Sequence, residues 1–243
     1  MQLFFGKDVW KEAVEIHKKL AYVPGDVSLW DNLTGGEVID LFVKLQGGTS
    51  ERRGRGRRNE LTRRFDLDVT KKCRTYSKGN RQKVALIAAL VSDADLYILD
   101  EPTSGLDPLM ESVFQEYVLQ LKKEGKSVFL SSHILSEVEK LCDKVSIIRN
   151  GKIIETGTLK ELRHLTRTTI SAETKREITG INSLDGIHNI QKTGHEISFQ
   201  VDTENVGKAI SYINNFEILN LQSTPPSLEE LFMTHYKGER GDE

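Results

Sequence analysis

Apolar residues along the chain change their spacing twice, and each change marks a change of architecture. In the opening stretch Ala13, Ile16 and Leu20 recur at helical spacing, and Ala21-Tyr22-Val23 reads as a short strand closed by the turn Pro24-Gly25-Asp26. Glu37 to Leu45 predicts a small amphipathic helix with Val38, Leu41, Phe42 and Leu45 on one face. Thr49 to Arg58 has no periodicity and is rich in Gly and Arg, which predicts a surface loop; Asn59 to Phe65 opens another short helix.

From Leu96 the period shortens. Leu96-Tyr97-Ile98-Leu99 is a continuous apolar run, as expected of a strand buried on both faces, and Ser127 to Ser131 predicts a second one. Between them Pro108 sits at the start of a helix whose face is Val113, Phe114, Tyr117, Val118 and Leu121, ended by Glu124-Gly125-Lys126. Leu135, Val138, Leu141 and Cys142 mark the next helix. Strand, helix, strand, helix is the order of a parallel α/β sheet. Asn150-Gly151, flanked by Val145 to Arg149 and Lys152 to Glu155, predicts a hairpin. After about residue 165 the pattern becomes a small α+β region. Its predicted strands are Thr168 to Ala172, Ile197 to Val201 and Phe216 to Leu221, with a helix over Asn205 to Ile213. Pro225-Pro226 leads into Ser227-Leu228-Glu229-Glu230, a capping box for a final helix.

Composition narrows the class. The chain has 243 residues, 37% hydrophobic and 29% charged, with a formal net charge of -2 and a pI near 6.3. Those values suit one or two globular domains and argue against a bulk electrostatic partner, so no nucleic acid is expected. Arg52-Arg53-Gly54-Arg55-Gly56-Arg57-Arg58 is the one basic cluster; it suits either an anionic partner or a solvated loop, and it has no interleaved aromatics. Cys73 and Cys142 have no metal-like spacing and fit a reducing compartment, with a disulfide left open. The longest nearly apolar run, Val84 to Val91, is far short of the roughly 20 residues of a membrane span, and Met1 to Trp10 has no signal-peptide core. A cytoplasmic location is expected, with any membrane role exerted through a partner.

The chemistry concentrates where the strand Leu96 to Leu99 ends in Asp100-Glu101. A buried strand delivering two carboxylates to the C-terminal edge of a parallel sheet is a Walker B arrangement, and that edge is where open α/β sheets bind ligands. Asp100 suits a hydrated Mg²⁺ bridging nucleotide phosphates, and Glu101 is placed to polarise an attacking water. The bland alternative is an acidic turn after a core strand.

The surrounding residues resemble those of ATP-binding cassette (ABC) ATPases. Asp100-Glu101-Pro102-Thr103-Ser104-Gly105-Leu106-Asp107-Pro108 is similar to that family's Walker B and D-loop. Tyr76-Ser77-Lys78-Gly79-Asn80-Arg81-Gln82-Lys83-Val84 resembles its signature motif, usually Leu-Ser-Gly-Gly-Gln. Ser131-Ser132-His133 follows a strand as the family's switch histidine does. The order and spacings agree. The resemblance implies a P-loop α/β fold over residues 1–165, with a helical subdomain at about 28–92, and an accessory α+β domain over 166–243. Within the tail, Pro225 to Phe232 resembles the C-terminal region of ATPase subunits of ABC-2 type exporters.

The resemblance also implies roles. Glu101 and His133 would be catalytic and Asp100 would hold Mg²⁺. Ser77, Lys78, Gly79 and Asn80 would meet the ATP γ-phosphate held by a second ATP-binding subunit, with Asp107 contacting across that dimer. The work would be export through an ABC-2 type membrane permease. The bland alternatives are a plain helix N-cap at Ser77, a partnerless histidine at a strand end, and a turn residue at Asp107. Lys78 would either add charge near a phosphate or point to solvent.

Two departures stand out. No Gly-x-x-x-x-Gly-Lys-Ser/Thr loop occurs in the chain, and Gly25 stands where the family usually has a Gln. The first leads us to expect that the phosphate-binding loop and the first core strand lie upstream of Met1 in a truncated or split reading frame. Apolar sheet faces should then be exposed and isolated activity should be doubtful. A regulatory binding module and a non-transport ABC protein are the alternatives.

Overall fold

The computed structural model describes residues 3–45, 52–163, 167–225 and 228. The chain forms two compact units, Met1–His133 and Ile134–Glu243. That division lies ahead of residue 165, where the apolar pattern changes style.

The first unit opens with a two-stranded ribbon, β1 (Leu3–Phe4) and β2 (Lys7–Asp8), and a short helix α1 (Ala13–His17). Leu20 belongs to the strand β3 (Leu20–Val23) rather than to the helix its spacing suggested. Three helices follow: α2 (Gly35–Leu45), α3 (Arg52–Arg64) and α4 (Lys78–Val91). Then come β4 (Leu96–Asp100), α5 (Pro108–Lys123) and β5 (Ser127–Ser131).

Local chemistry sets these boundaries. At the start of α2, Thr34 and Glu37 bond reciprocally: the Glu37 carboxylate accepts from the Thr34 N–H at 2.6 Å and the Thr34 hydroxyl from the Glu37 N–H at 3.2 Å. Those bonds to Thr34 hold the Glu37 carboxyl below its ordinary range. At α5, Asp107 caps and Pro108 takes the first helical position, where its missing N–H costs nothing.

Strands β3, β4 and β5 form a parallel sheet in that order, with Val23, Leu99 and Leu130 in register. Helix α4 packs against β3 and α5 against β5. Because side chains alternate along a strand, Ala21, Val23, Tyr97 and Leu99 share the buried face. The opposite face carries Tyr22 and Phe129, 54% and 66% exposed. Burial of β4 and β5 on both faces, expected from their apolar runs, is therefore not observed. Among the described residues β5 pairs only with β4, and one face of the sheet lacks a covering layer.

Two further expectations need correction. The predicted loop before Arg58 is helical from Arg52 onward. Arg is a good helix former, and α3 is held by Leu61 and by polar anchors instead of an apolar stripe. Arg58 pairs with Asp40 at 3.0 Å, and Arg64 pairs with Glu116 while lying over the Tyr117 ring. Residues 49–51 lie outside the described residues. On α2 the buried apolar side chains are Val38 and Ile39; Leu45, assigned to the apolar face, is 69% exposed at the helix end.

The second unit begins with α6 (Leu135–Leu141) and the hairpin β6 (Lys144–Arg149) and β7 (Lys152–Thr158). Asn150 and Gly151 both take positive φ, 50° and 72°, as a two-residue turn matching the strand twist requires. A second reciprocal pair, Thr158 and Glu161, opens α7 (Leu159–Arg163). Val138, Ile147, Leu162 and Leu228 form one small core. Apart from Leu228, the predicted final helix lies outside the described residues.

Strands β8 (Thr168–Thr174), β9 (Ile187–Thr193), β10 (Glu196–Val201) and β11 (Ile218–Thr224) make an antiparallel sheet in the order β11-β8-β10-β9. Helix α8 (Val206–Asn214) contributes Ala209 and Ile213 to the core over Ile170, Ala172, Ile197, Phe199 and Val201. Strand β9 escaped the sequence reading because its only apolar residues, Ile187 and Ile190, break strict alternation.

Candidate functional site

The parallel sheet places Asp100 and Ser131 side by side as the last residues of β4 and β5. The Ser131 hydroxyl donates to Asp100 Oδ1. One residue on, Glu101 adopts φ 42°, a left-handed conformation that a β-unbranched acidic residue rarely holds without support. Its backbone N–H donates to both the carbonyl and the hydroxyl of Ser131, at 3.2 and 3.1 Å. That turn carries the Glu101 carboxylate toward the chain leaving β5, where Glu101 Oε1 and His133 Nδ1 are 3.3 Å apart. Both side chains remain open to solvent.

The structure therefore brings Asp100, Glu101 and His133 into one cluster, and His133 is not the partnerless strand-end residue of the bland alternative. Ser131 was not singled out from the sequence. No local signal marks it: Ser131 enters the site because β4 and β5 pair it with Asp100.

Gly25, just beyond β3, meets this cluster from the other flank. A Cβ there would lie 3.1 Å from Asp100 Oδ2 and 3.5 Å from the Asp100 carbonyl oxygen. Glycine thus leaves room around a hard carboxylate oxygen. Among the described residues no group of three or more His, Cys, Asp or Glu is placed to hold a metal. A single carboxylate with space beside it suits Mg²⁺, which keeps several waters and takes its other ligands from phosphate. Asp100 is the residue here that would hold it.

The second group of candidates sits at the start of α4. Ser77 caps the helix, its hydroxyl accepting from the Asn80 N–H at 3.3 Å. Free N–H groups and the positive dipole end make such a terminus attractive to anions. Gly79 is required by a close approach: a Cβ would collide with the Gly105 carbonyl oxygen. Lys78 runs across Gly105 and donates from Nζ to the Ser104 hydroxyl at 2.9 Å, so it does not simply point to solvent. Buried Gln82 donates to the Pro102 carbonyl at 3.0 Å. These three contacts tie the first turns of α4 to the loop Pro102 to Gly105 that follows Glu101. A cleft of about 260 Å³ beside them is lined by Asp26, Val27, Tyr76, Lys78, Arg81 and Gln82. Asp107 lies beyond, capping α5 by accepting from the Met110 N–H at 3.0 Å, which engages one of its two oxygens.

Residues 2–104 match the family described as ABC transporter. An uncharacterized ABC transporter ATP-binding protein of Alkalihalophilus pseudofirmus is 31% identical over 240 residues, which cover 94% of this chain and 88% of that protein. The chain belongs to the ABC transporter ATP-binding protein family. Residues 157–236 match a second family, described as ATP-binding protein DrrA1-3-like, C-terminal domain.

Against the ABC transporter ATP-binding protein NatA of Bacillus subtilis, identity is 36% over 160 residues. That match covers 65% of this chain and 65% of NatA. A solved structure of the ATP binding subunit of an ABC transporter is 33% identical with a TM-score of 0.62, covering 66% of this chain and 67% of that one. Nucleotide binding is thus a property of the family to which this parallel sheet and signature helix belong. No helix among the described residues is long and apolar enough to cross a membrane.

Proposed function

We infer that this chain is an ATP-hydrolysing subunit of an ABC-2 type exporter. In this reading it works from the cytoplasmic side on a separate membrane permease, paired with a second ATP-binding subunit. One observation carries the reading: Asp100, Glu101 and His133 converge at the C-terminal edge of the parallel sheet, beside a signature helix locked to the loop that follows Glu101. The export assignment draws on the match of the tail to the DrrA1-3-like C-terminal domain.

Each residue then has a defined task. Glu101 accepts hydrogen-bond donation from the attacking water and polarises it; His133, at hydrogen-bond distance, holds the carboxylate in place. Asp100 would hold Mg²⁺, which when bound neutralises phosphate charge. With Ser77 capping the helix, Lys78 and Gly79 present backbone N–H groups, Lys78 its ammonium and Asn80 its side-chain amide to the triphosphate carried by the second subunit. Asp107 keeps one oxygen free for a contact across that dimer. Gly25 offers no side chain to link the site with a permease, so coupling there falls to other groups.

The Gly-rich phosphate loop does not occur in these 243 residues. In this reading it is supplied from outside them, on a strand and helix that cover Tyr22 and Phe129. The test is Mg-ATP binding and turnover by the chain alone, then mixed with a segment carrying such a loop. We expect no micromolar binding alone, and both binding and turnover on mixing, with turnover lost in Glu101→Gln. Tight binding by the chain alone would mean that another group here cradles phosphate. Binding without turnover on mixing would favour a regulatory module.

A further inference from the structure

Ser131 closes β5 with a hydroxyl that has one proton to give and two lone pairs with which to accept. It gives the proton to Asp100 Oδ1 and accepts from the Glu101 N–H at 3.1 Å. A single oxygen therefore joins the side chain of one candidate site residue to the backbone of the next. Both partners need such support. The Asp100 carboxylate is otherwise able to rotate about its Cβ–Cγ bond. The Glu101 backbone sits at φ 42°, a conformation that persists only where its surroundings enforce it.

We propose that Ser131 is the positioning residue of this centre. Its hydroxyl fixes the rotation of the Asp100 carboxylate so that Oδ2 lies beside Gly25, and it pins the left-handed turn that carries Glu101 to His133. The register of the sheet makes this possible, since Asp100 and Ser131 are paired residues at the end of β4 and β5. The proposal rests on the reading of Asp100 as the metal-holding carboxylate, and its test separates the two.

The full chain is labelled with ¹⁵N and titrated with Mn²⁺ alone, reading paramagnetic broadening at the Asp100 and Glu101 amides. Exchange of the Glu101 amide proton is followed in parallel. Loss of one charge-assisted hydrogen bond in Ser131→Ala should raise the Mn²⁺ concentration needed for broadening roughly three- to ten-fold. It should also speed Glu101 amide exchange by a similar factor, on the order of the same lost bond. Ser131→Thr keeps the hydroxyl and should restore both.

If Ser131→Ala matches the parent in both readings, or if the Thr variant is as impaired as the Ala variant, the proposal is overturned. Asp100→Asn is the control for the underlying reading. Should broadening survive it, Asp100 does not hold the metal; should broadening be missing from the parent, Asp100 does not hold the bare ion without phosphate, and in either case Glu101 amide exchange alone decides whether Ser131 positions that turn.

Discussion

The parallel sheet of the first unit and the antiparallel sheet of the second differ in what they leave open. Strands β8 and β10 put Ile170, Ala172, Ile197, Phe199 and Val201 under α8 and turn Ser171 and Ser198 outward, their hydroxyls 3.1 Å apart. That sheet has an apolar face with its own cover and a polar face for water. Strands β3 to β5 bury one face and leave Tyr22 and Phe129 exposed on the other. Both candidate catalytic residues, Glu101 and His133, lie just past the strand ends of this less complete sheet. Parallel strands all stop at the same edge, so Asp100, Glu101, Ser131 and His133 arrive together; antiparallel neighbours stop at opposite edges and cannot gather their ends in this way.

Matched truncations in the two sheets test this contrast most severely. Phe199→Ala removes a side chain that is 1% exposed, and should cost about 3–5 kcal/mol in denaturant unfolding of the second unit. Phe129→Ala, on the open face, should cost less than about 1 kcal/mol, because little apolar area is withdrawn from water there to begin with. Equal losses at both positions would show that the open face is covered in solution.

The next largest effect concerns chemistry. In an assembly supplied with a Gly-rich loop, Glu101→Gln should lower turnover roughly 10²–10³-fold while nucleotide binding is retained. His133→Ala should act through the same carboxylate and so add little to the Glu101→Gln loss in a double variant. Independent, multiplying losses would break the pairing seen at 3.3 Å.

Much of this site was legible in the sequence because its residues are contiguous. Asp100 to Pro108 and Tyr76 to Val84 are local strings whose spacing survives folding. Ser131 was harder to see: its role depends on the register between β4 and β5, which no local pattern states. The fold shows the same division. Gly151 and Pro108 punctuate turns and helix starts by their own backbone limits, so the hairpin and α5 were visible in advance. The first half of α3, up to Arg58, was not, because Arg58 is held by Asp40, a partner distant in sequence. The burial of β5 was misjudged for a related reason: apolar content reports that a strand can be covered, not that a layer lies over it.

A smaller effect is expected where the two motifs of the first unit touch. Gly79→Ala would drive a methyl group into the Gly105 carbonyl, displacing the first turn of α4 from the loop after Glu101. Strain of this kind typically costs about 1–3 kcal/mol. The loss should show in thermal melting of the first unit and leave the second unchanged. Because Lys78 bridges the same two segments, Lys78→Ala should loosen them without the steric penalty and melt closer to the parent.

The smallest effect separates the units by pH. In the second unit Asp202 accepts from Arg167 at 3.0 Å and lies 3.3 Å from His188. The Arg167 bond first, then His188, holds its carboxyl below the ordinary value of 3.8. A carboxyl depressed on folding adds stability above its unfolded pKa and loses it as pH falls through the folded one. Asp202→Asn should therefore weaken the second unit slightly at neutral pH and converge with the parent in acid, below about the unfolded carboxylate range. Because the pair is exposed, about 1 M salt should shrink the neutral-pH difference. The Phe199 amide resonance reports on the second unit and that of Tyr97 on the first, so acid titration followed at both residues reads the two separately. A shift at Tyr97 matching that at Phe199 would mean that the units unfold as one, and the contrast between their sheets would then describe two faces of a single cooperative structure.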